Sequence, residues 1–141
     1  MQIEAKLIRQ GILVRDNPPR LAVVLDEAAL HRAVGGHLVM AAQLAKIVKM
    51  SALPNVVVQI LPFELGAHPA LECNFTVLEL PSPAPGVVYI EGIMGPIYLE
   101  RPEDLKRSHE LFRRLQSIAL SPEDSVGWIA DLGHSYANIR Y

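Results

Sequence analysis

The chain of 141 residues has little of several features that usually mark a function. Its one cysteine, Cys73, cannot form an internal disulfide and is expected to be a buried, unreactive thiol, as in a reducing cytoplasm. The formal net charge of −2 gives no basic footprint for nucleic acid. No apolar run approaches the ~20 residues that a membrane-spanning helix needs, and the first residues form a charged helical pattern rather than a signal peptide. These absences predict a cytoplasmic protein that binds neither nucleic acid nor membrane directly.

Common catalytic and metal-binding motifs are also missing. The five histidines, which are His31, His37, His68, His109 and His134, show no two-histidine helical spacing, and no cysteine cluster accompanies them. The chain has no Gly-x-Ser-x-Gly elbow, so nothing supports a serine hydrolase. The sequence therefore predicts no metal site and no cofactor.

The most strongly patterned stretch is Val56–His68. Its first six residues are almost all apolar, which is typical of a strand that is buried on both faces. Pro62 ends the strand because it has no N–H to donate to a sheet. A loop that contains Phe63 and His68 follows, so this strand delivers polar and aromatic side chains to one end of a sheet.

An earlier strand and a helix complete a parallel unit with this strand. Leu21–Leu25 is apolar throughout, and after Gly35-Gly36 a helix with a wide apolar face extends to about Met50. The order strand, helix, strand predicts a right-handed parallel βαβ unit.

The remaining pattern predicts an antiparallel meander followed by two helices. The short strands are predicted at Phe75–Leu80, Val87–Glu91 and Ile97–Glu100, with linkers too short for a crossover. Pro102 and Ser121-Pro122 then begin two amphipathic helices. The predicted fold class is α+β, with a mixed sheet of about five strands packed with helices, in a single domain over residues 1–141.

The carboxyl ends of the parallel strands are the predicted site. Both strands end at the same edge of the sheet, so Asp26-Glu27 and the loop from Phe63 to His68 should approach each other. Glu27 and His68 form the best acid–base pair in the sequence, because a carboxylate that holds an imidazole can move a proton near neutral pH. The alternative is that Glu27 is a solvated carboxylate and His68 finishes a turn.

Three further features have both a functional and a plain structural interpretation. Glu91 shares a strand face with Tyr89, so it is either a buried catalytic carboxylate or one that pairs with Arg32 or Arg101. Gly35-Gly36 either offers backbone N–H groups to an anion or makes a tight turn. The basic residues of the helix after Pro102 either contact nucleic acid or, since acidic residues are interleaved with them, form a solvated face, which is the usual case.

An ordered set of motifs resembles one family. The motifs are Asp26–Leu30, Arg32–Gly36, Pro54–Phe63, Gly66–His68, Phe75–Glu79, Val88–Gly92, Tyr98–Glu100 and Ala119–Ser125. The chain resembles the C-terminal domain of unknown function found in actinobacterial helix-turn-helix regulators, which are similar to antitoxin-like transcriptional regulators of the xenobiotic-response-element family. The resemblance implies a DNA-binding helix-turn-helix elsewhere and a small toxin-like protein partner, but no catalytic residues.

The chain lacks that helix-turn-helix, so the resemblance implies either a truncated piece of a regulator or a stand-alone protein. The leading hypothesis is a non-catalytic domain that senses a small-molecule ligand or a partner and acts as a homodimer. Its predicted site comprises Glu27, Arg32, Phe63 and His68, with Tyr89 and Glu91 as second choices. The alternative is a small metal-free enzyme of cyclase or isomerase type that acts on an apolar metabolite in a biosynthetic pathway, with Glu27, His68 or Glu91 as acid–base groups. A third hypothesis is a dimerisation or partner-docking module.

Overall fold

The computed structural model describes residues 2–71 and 74–139, so Cys73 and its predicted burial lie outside the described residues. The five helices of this part of the chain are α1 (Gln2–Gln10), α2 (Ala28–His31), α3 (His37–Ser51), α4 (Pro102–Ile118) and α5 (Pro122–Ala137). Its five strands are β1 (Leu21–Asp26), β2 (Val56–Leu61), β3 (Phe75–Leu78), β4 (Val87–Gly92) and β5 (Gly95–Leu99). Short 3-10 helices occupy Gly11–Leu13 and Phe63–Leu65.

The chain divides into two compact units. The first unit comprises Met1–Phe63 and Leu120–Tyr141, and the second comprises Glu64–Ala119. The prediction of a single domain over residues 1–141 stays a prediction, since two compact units can belong to one domain.

The first unit contains the predicted parallel pair. β1 and β2 run parallel in a register from Leu21 opposite Val56 to Asp26 opposite Leu61. Helices α3 and α5 pack together, and α5 also contacts β2. Leu44, Ile60 and Ile129, one from each of these elements, have no exposed surface. The aliphatic core that the sequence predicts is therefore centred on β2, whereas β1 is only partly covered.

The outer edge of β2 is closed by the segment that leads into α5. The backbone N–H of Leu120 donates to the carbonyl oxygen of Ile60 at 2.9 Å. The hydroxyl of Ser125 accepts from the N–H of Ile60 at 3.0 Å and donates to the carbonyl oxygen of Leu120 at 3.4 Å. The side chain of Gln59 also donates to that oxygen, at 3.0 Å. The hydroxyl of Ser125, which is fully buried, therefore takes the position that the carbonyl of a neighbouring strand would occupy at this edge.

The structure corrects the prediction of one mixed sheet. The α+β class, the parallel pair and the antiparallel meander are confirmed, but the five strands of the described residues form two sheets: β1–β2 and β3–β4–β5. Ile60 already has partners for its outward N–H and carbonyl groups, so a further strand has nowhere to pair at that point.

Helix α1 differs from its prediction in length and exposure. The apolar pattern predicts one helix up to Asp16, but α1 ends at Gln10 and a 3-10 turn follows. Its apolar side chains Ile3, Leu7 and Ile8 are exposed. The pattern predicts the apolar face correctly, and in this chain that face is open to solvent.

Gly35 and Gly36 form a tight turn at the start of α3. Their φ angles are 82° and 93°, a region in which residues with a Cβ are strained. A Cβ at Gly35 would also lie 3.0 Å from the side chain of Val39. The backbone angles of the turn therefore explain why glycine occupies both positions.

The second unit is the predicted meander with one helix. β4 pairs antiparallel with β3 on one side and with β5 on the other. Helix α4 contacts β3 and β4, and Val88 of β4 is 1% exposed. The covered face of the sheet is therefore the one that carries Val88. Glu91 would be a buried carboxylate only if its own face of the sheet were covered; it lies on the face opposite Val88 and is exposed.

The ends of α4 and α5 follow their sequence signals. Ser121 caps α5, since its hydroxyl accepts from the N–H of Asp124 at 3.1 Å. Before α4, the guanidinium of Arg101 donates to Asp104 at 2.8 Å. This hydrogen bond and the nearby carboxylates raise the pKa of Arg101 above its usual value.

Within residues 2–71 and 74–139, no helix is both long and apolar enough to cross a membrane.

Replacing Ser125 with alanine tests the closed edge of β2. The change leaves the buried N–H of Ile60 without its acceptor, which should lower the free energy of unfolding by about 1–3 kcal/mol. Chemical denaturation followed by the fluorescence of Trp128, the one tryptophan, measures this loss in the first unit.

Ser135→Ala is the matched control, because Ser135 lies on the same helix but is exposed and donates only to the carbonyl of Asp131. It should change stability by no more than about 0.5 kcal/mol. Equal losses in the two variants would show that the Ser125 hydroxyl does not support the strand.

Candidate functional site

The carboxyl ends of β1 and β2 meet as the sequence predicts. β1 ends at Asp26, and the N–H of the next residue, Glu27, donates to the carbonyl oxygen of Leu61 at 3.0 Å. The N–H of Phe63 in turn donates to Oε1 of Glu27 at 3.1 Å. The side chain of Glu27 therefore joins the ends of two parallel strands, and the predicted approach of Glu27 and Phe63 is confirmed.

The second oxygen of Glu27 binds a histidine. Oε2 lies 2.9 Å from Nε2 of His31, one helical turn later along the chain. The carboxylate of Asp26 accepts from the N–H of Ala28 at 2.8 Å and so stabilises the first turn of α2. The short helix α2 holds Glu27 and His31 at the i, i+4 spacing that brings two side chains into contact.

His31 is also part of an aromatic group. Its ring stacks on Phe63 with the centroids 5.5 Å apart and the planes at 21°. The ring of Trp128 meets His31 edge-on, with the centroids 5.8 Å apart and the planes at 89°. Both distances and angles are within the range of favourable ring contacts. We call Glu27, His31, Phe63 and Trp128 the Glu27 cluster.

The Glu27 cluster combines a covered carboxylate with exposed rings. The side chain of Glu27 is 13% exposed and that of His31 is 43% exposed. Phe63 is 57% exposed, which is unusual for a phenylalanine beside a buried strand. The arrangement can stack a planar or apolar group on its rings, while the carboxylate holds the imidazole in place.

Trp128 reaches this position through the packing of α5. It lies three residues after Ser125, the residue that bonds β2, and next to the fully buried Ile129. Further along the helix, the hydroxyl of Tyr136 donates to the carbonyl oxygen of Leu30 in α2 at 2.8 Å. Two buried hydrogen bonds therefore attach α5 to β2 and to α2, on either side of Trp128.

The structure brings together only part of the predicted site. Glu27 and Phe63 lie in the Glu27 cluster, and Arg32 is exposed directly after it in the chain. His68 belongs to the second unit, where its Nδ1 accepts from the N–H of Ala70 at 3.3 Å. The proposed pairing of His68 with Glu27 stays a prediction.

Tyr89 and Glu91 also belong to the second unit. Tyr89 pairs with Tyr98 across β4 and β5, with the ring centroids 5.3 Å apart. Arg101, which was a predicted partner for Glu91, pairs with Asp104 instead. Tyr89 and Glu91 both lie on the sheet face opposite Val88, away from α4.

Sequence reasoning missed His31 and Trp128. The spacing of Glu27 and His31 is a usable signal, but only if a helix is predicted at Ala28–His31, and the four-residue helix is too short to show a period. Trp128 has no local signal, because it is about a hundred residues from His31 in the chain.

The basic residues of α4 lie among acidic ones, as the sequence predicts. Nε2 of His109 is 3.6 Å from Oε1 of Glu79. These two residues line an open groove of about 350 Å³ together with Lys106, Glu110 and Arg113. Mixed charge and exposure make this a solvated face. In the part of the chain that the structure describes, no three histidine, cysteine, aspartate or glutamate side chains converge on a metal position.

Removing the carboxylate of Glu27 tests its role in joining the two strand ends to His31. Glu27→Ala removes two hydrogen bonds and should lower the free energy of unfolding by about 1–2 kcal/mol. Glu27→Gln should lose less, because its amide oxygen can still accept from Phe63. Denaturation followed by Trp128 fluorescence measures both changes.

Glu110→Ala, an exposed glutamate in the middle of α4, serves as the control and should be close to neutral. A Glu27→Ala variant as stable as this control would contradict the role assigned to the carboxylate.

Comparison with known proteins gives one match. A family model described as a domain of unknown function (DUF5753) matches residues 1–131. Neither the curated proteins nor the solved structures that were searched gave a significant match. The matched range includes all of the Glu27 cluster and the whole second unit. The chain belongs to the DUF5753 family of domains of unknown function.

Proposed function

We propose that the chain is the sensing domain of a transcription regulator of the actinobacterial helix-turn-helix type that it resembles. The Glu27 cluster is its sensing surface. The observation that carries this proposal is the exposed ring stack of His31 and Phe63, which is fixed from beneath by the carboxylate of Glu27.

The hydrogen bonds of Glu27 favour binding over catalysis. One carboxylate oxygen accepts from the backbone of Phe63, and the other contacts His31. A carboxylate that is engaged on both sides acts first as a positioning group. Binding sites typically pair apolar and aromatic surface with a few fixed polar groups, and the Glu27 cluster has this composition.

The rings define the chemistry of the ligand. A planar aromatic metabolite, or an aromatic side chain of a partner, can extend the stack that begins with Phe63 and His31. The half-exposed imidazole adds a polar edge that can donate or accept a hydrogen bond. We therefore propose a planar ligand with a polar group at its rim.

The cluster also offers a way to transmit binding. Its side chains come from three segments: α2, the residue after Pro62, and α5. A ligand that contacts side chains of these segments favours one arrangement of them over others, which is the thermodynamic requirement for sensing. A contact with a DNA-binding partner or a second copy can then depend on ligand occupancy.

One observation favours the alternative of a small enzyme. A carboxylate 2.9 Å from an imidazole is an arrangement that orients a general base. In that case His31 transfers the proton and Glu27 positions it, so that His31 takes the role predicted for His68 and Glu91. An apolar metabolite would be cyclised or isomerised without a metal.

Titration with a panel of planar aromatic metabolites, followed by Trp128 emission, tests the sensing proposal. A compound that binds should bind Phe63→Ala about two- to tenfold more weakly, because a ring contact contributes about 0.5–1.5 kcal/mol. Val34→Ala, which shortens an exposed apolar side chain in the same unit, should bind like the unaltered chain. Equal affinity of Phe63→Ala would contradict the proposed surface.

Product analysis with the same panel separates sensing from catalysis. Sensing predicts that bound compounds are recovered unchanged. If a compound is converted, His31→Ala and Glu27→Gln should lose about 10²–10⁴-fold in rate, the usual contribution of a positioned acid–base group. His68→Ala provides the comparison. A rate that depends on His68 but not on His31 would identify His68 as the acid–base residue, as the sequence predicts.

A further inference from the structure

Among the described residues of the second unit, one face of the sheet is covered by α4 and the other face is not covered by a helix of that unit. The strand register places Thr76 and Tyr98 on the same face as Tyr89. Glu91 and its partner Pro96 share that face. This face also carries Leu78 and Val87. We call it the tyrosine face; Val88 and α4 lie on the other side.

The tyrosine face is largely apolar and partly exposed, since Tyr89 and Val87 are half-buried whereas their neighbours on the outer strands are exposed. Tyr98 is 61% exposed and Leu78 is 46% exposed. At the turn between β4 and β5, Ile93 and Met94 are 104% and 99% exposed, so the tip adds two uncovered apolar side chains. Large apolar side chains that remain uncovered on neighbouring strands usually mark an interaction surface.

The charged residue on the tyrosine face is Glu91. The sequence from residue 51 to residue 100, which includes the three strands of this sheet, contains no aspartate, lysine or arginine. Glu91 lies two residues from Tyr89 on the same face of β4, so a carboxylate stands beside a pair of tyrosine rings.

This combination identifies the class of occupant. Tyrosine rings attract a cation over their faces, and a neighbouring carboxylate adds a direct ion pair. Arginine and lysine also have apolar stems that can lie along side chains such as Leu78 and Tyr98. An anionic membrane or a nucleic acid would be repelled by Glu91, and a face-to-face second copy would place like charges together.

We propose that the tyrosine face binds a basic segment of a protein partner, in which arginine or lysine side chains alternate with apolar ones. A cationic side chain lies over Tyr89 and Tyr98 and pairs with Glu91, while apolar neighbours pack on Leu78 and the Ile93-Met94 tip. This site lies in the second unit, whereas the Glu27 cluster lies in the first.

The test uses the full chain and a short synthetic peptide of alternating arginine and leucine, with affinity measured by isothermal titration calorimetry. Glu91→Gln and Tyr98→Ala should each weaken binding about fivefold, the size expected for an exposed ion pair or cation–π contact. Tyr98→Phe keeps the ring and should bind like the unaltered chain. A peptide with glutamate in place of arginine should not bind measurably.

Two controls keep the test specific. Glu123→Gln changes the net charge by the same amount as Glu91→Gln but lies on α5 in the first unit, and it should leave the affinity unchanged. Phe63→Ala should also leave it unchanged, which separates this surface from the Glu27 cluster.

The proposal is overturned by several results. These are no binding of the arginine peptide, equal binding of the glutamate peptide, equal losses in Glu123→Gln and Glu91→Gln, or loss of affinity in Phe63→Ala. A dimer that Tyr98→Ala dissociates, and that excludes the peptide, would assign the tyrosine face to a second copy instead.

Discussion

The buried hydrogen bonds of Ile60 are the constraint on which the first unit depends. In a two-stranded sheet, β2 has one edge with no strand beside it, and its outward backbone groups still need partners. The N–H of Leu120 and the hydroxyl of Ser125 supply them. Since both partners lie at the start of α5, satisfying the strand also fixes the register of that helix against β2.

The Glu27 cluster follows from this register. Once Ser125 is fixed, Trp128 and Ile129 are placed by helical geometry, one beside His31 and the other in the core. The bond from Tyr136 to Leu30 attaches the same helix to α2. At the carboxyl ends of β1 and β2, Glu27 joins the two strand ends and holds His31. The exposed rings thus rest on buried bonds, which gives the proposed sensing surface a defined shape.

Much of the fold can be predicted from local pattern, and the site only in part. The bounds of β2, the meander, the cap at Ser121 and the meeting of Glu27 with Phe63 all follow from periodicity, turn residues and parallel topology. The division into two sheets does not, and Ser125, whose hydroxyl occupies the outer edge of β2, resembles any helical serine in the sequence. The face of β4 that is covered was also unpredictable, since Val-Val-Tyr-Ile is apolar on both sides. Trp128 joins the cluster only through long-range packing, and no local pattern contains that information.

The two units have surfaces of different chemistry. The Glu27 cluster is aromatic and rests on a hydrogen-bonded carboxylate, while the tyrosine face is aromatic and carries the carboxylate of Glu91. A domain with one surface for a planar ligand and another for a basic partner has the two sites that sensing requires. This pairing is consistent with the proposed regulatory role.

The most direct measurement of the central claim is the nuclear Overhauser effect between the indole protons of Trp128 and the ring protons of His31. The account predicts a clear cross-peak in the unaltered chain, and a marked loss of intensity in Ser125→Ala while the chain remains folded. An absent cross-peak in the unaltered chain, or one that survives Ser125→Ala at full intensity, would contradict the claim that the bond to β2 builds the sensing surface.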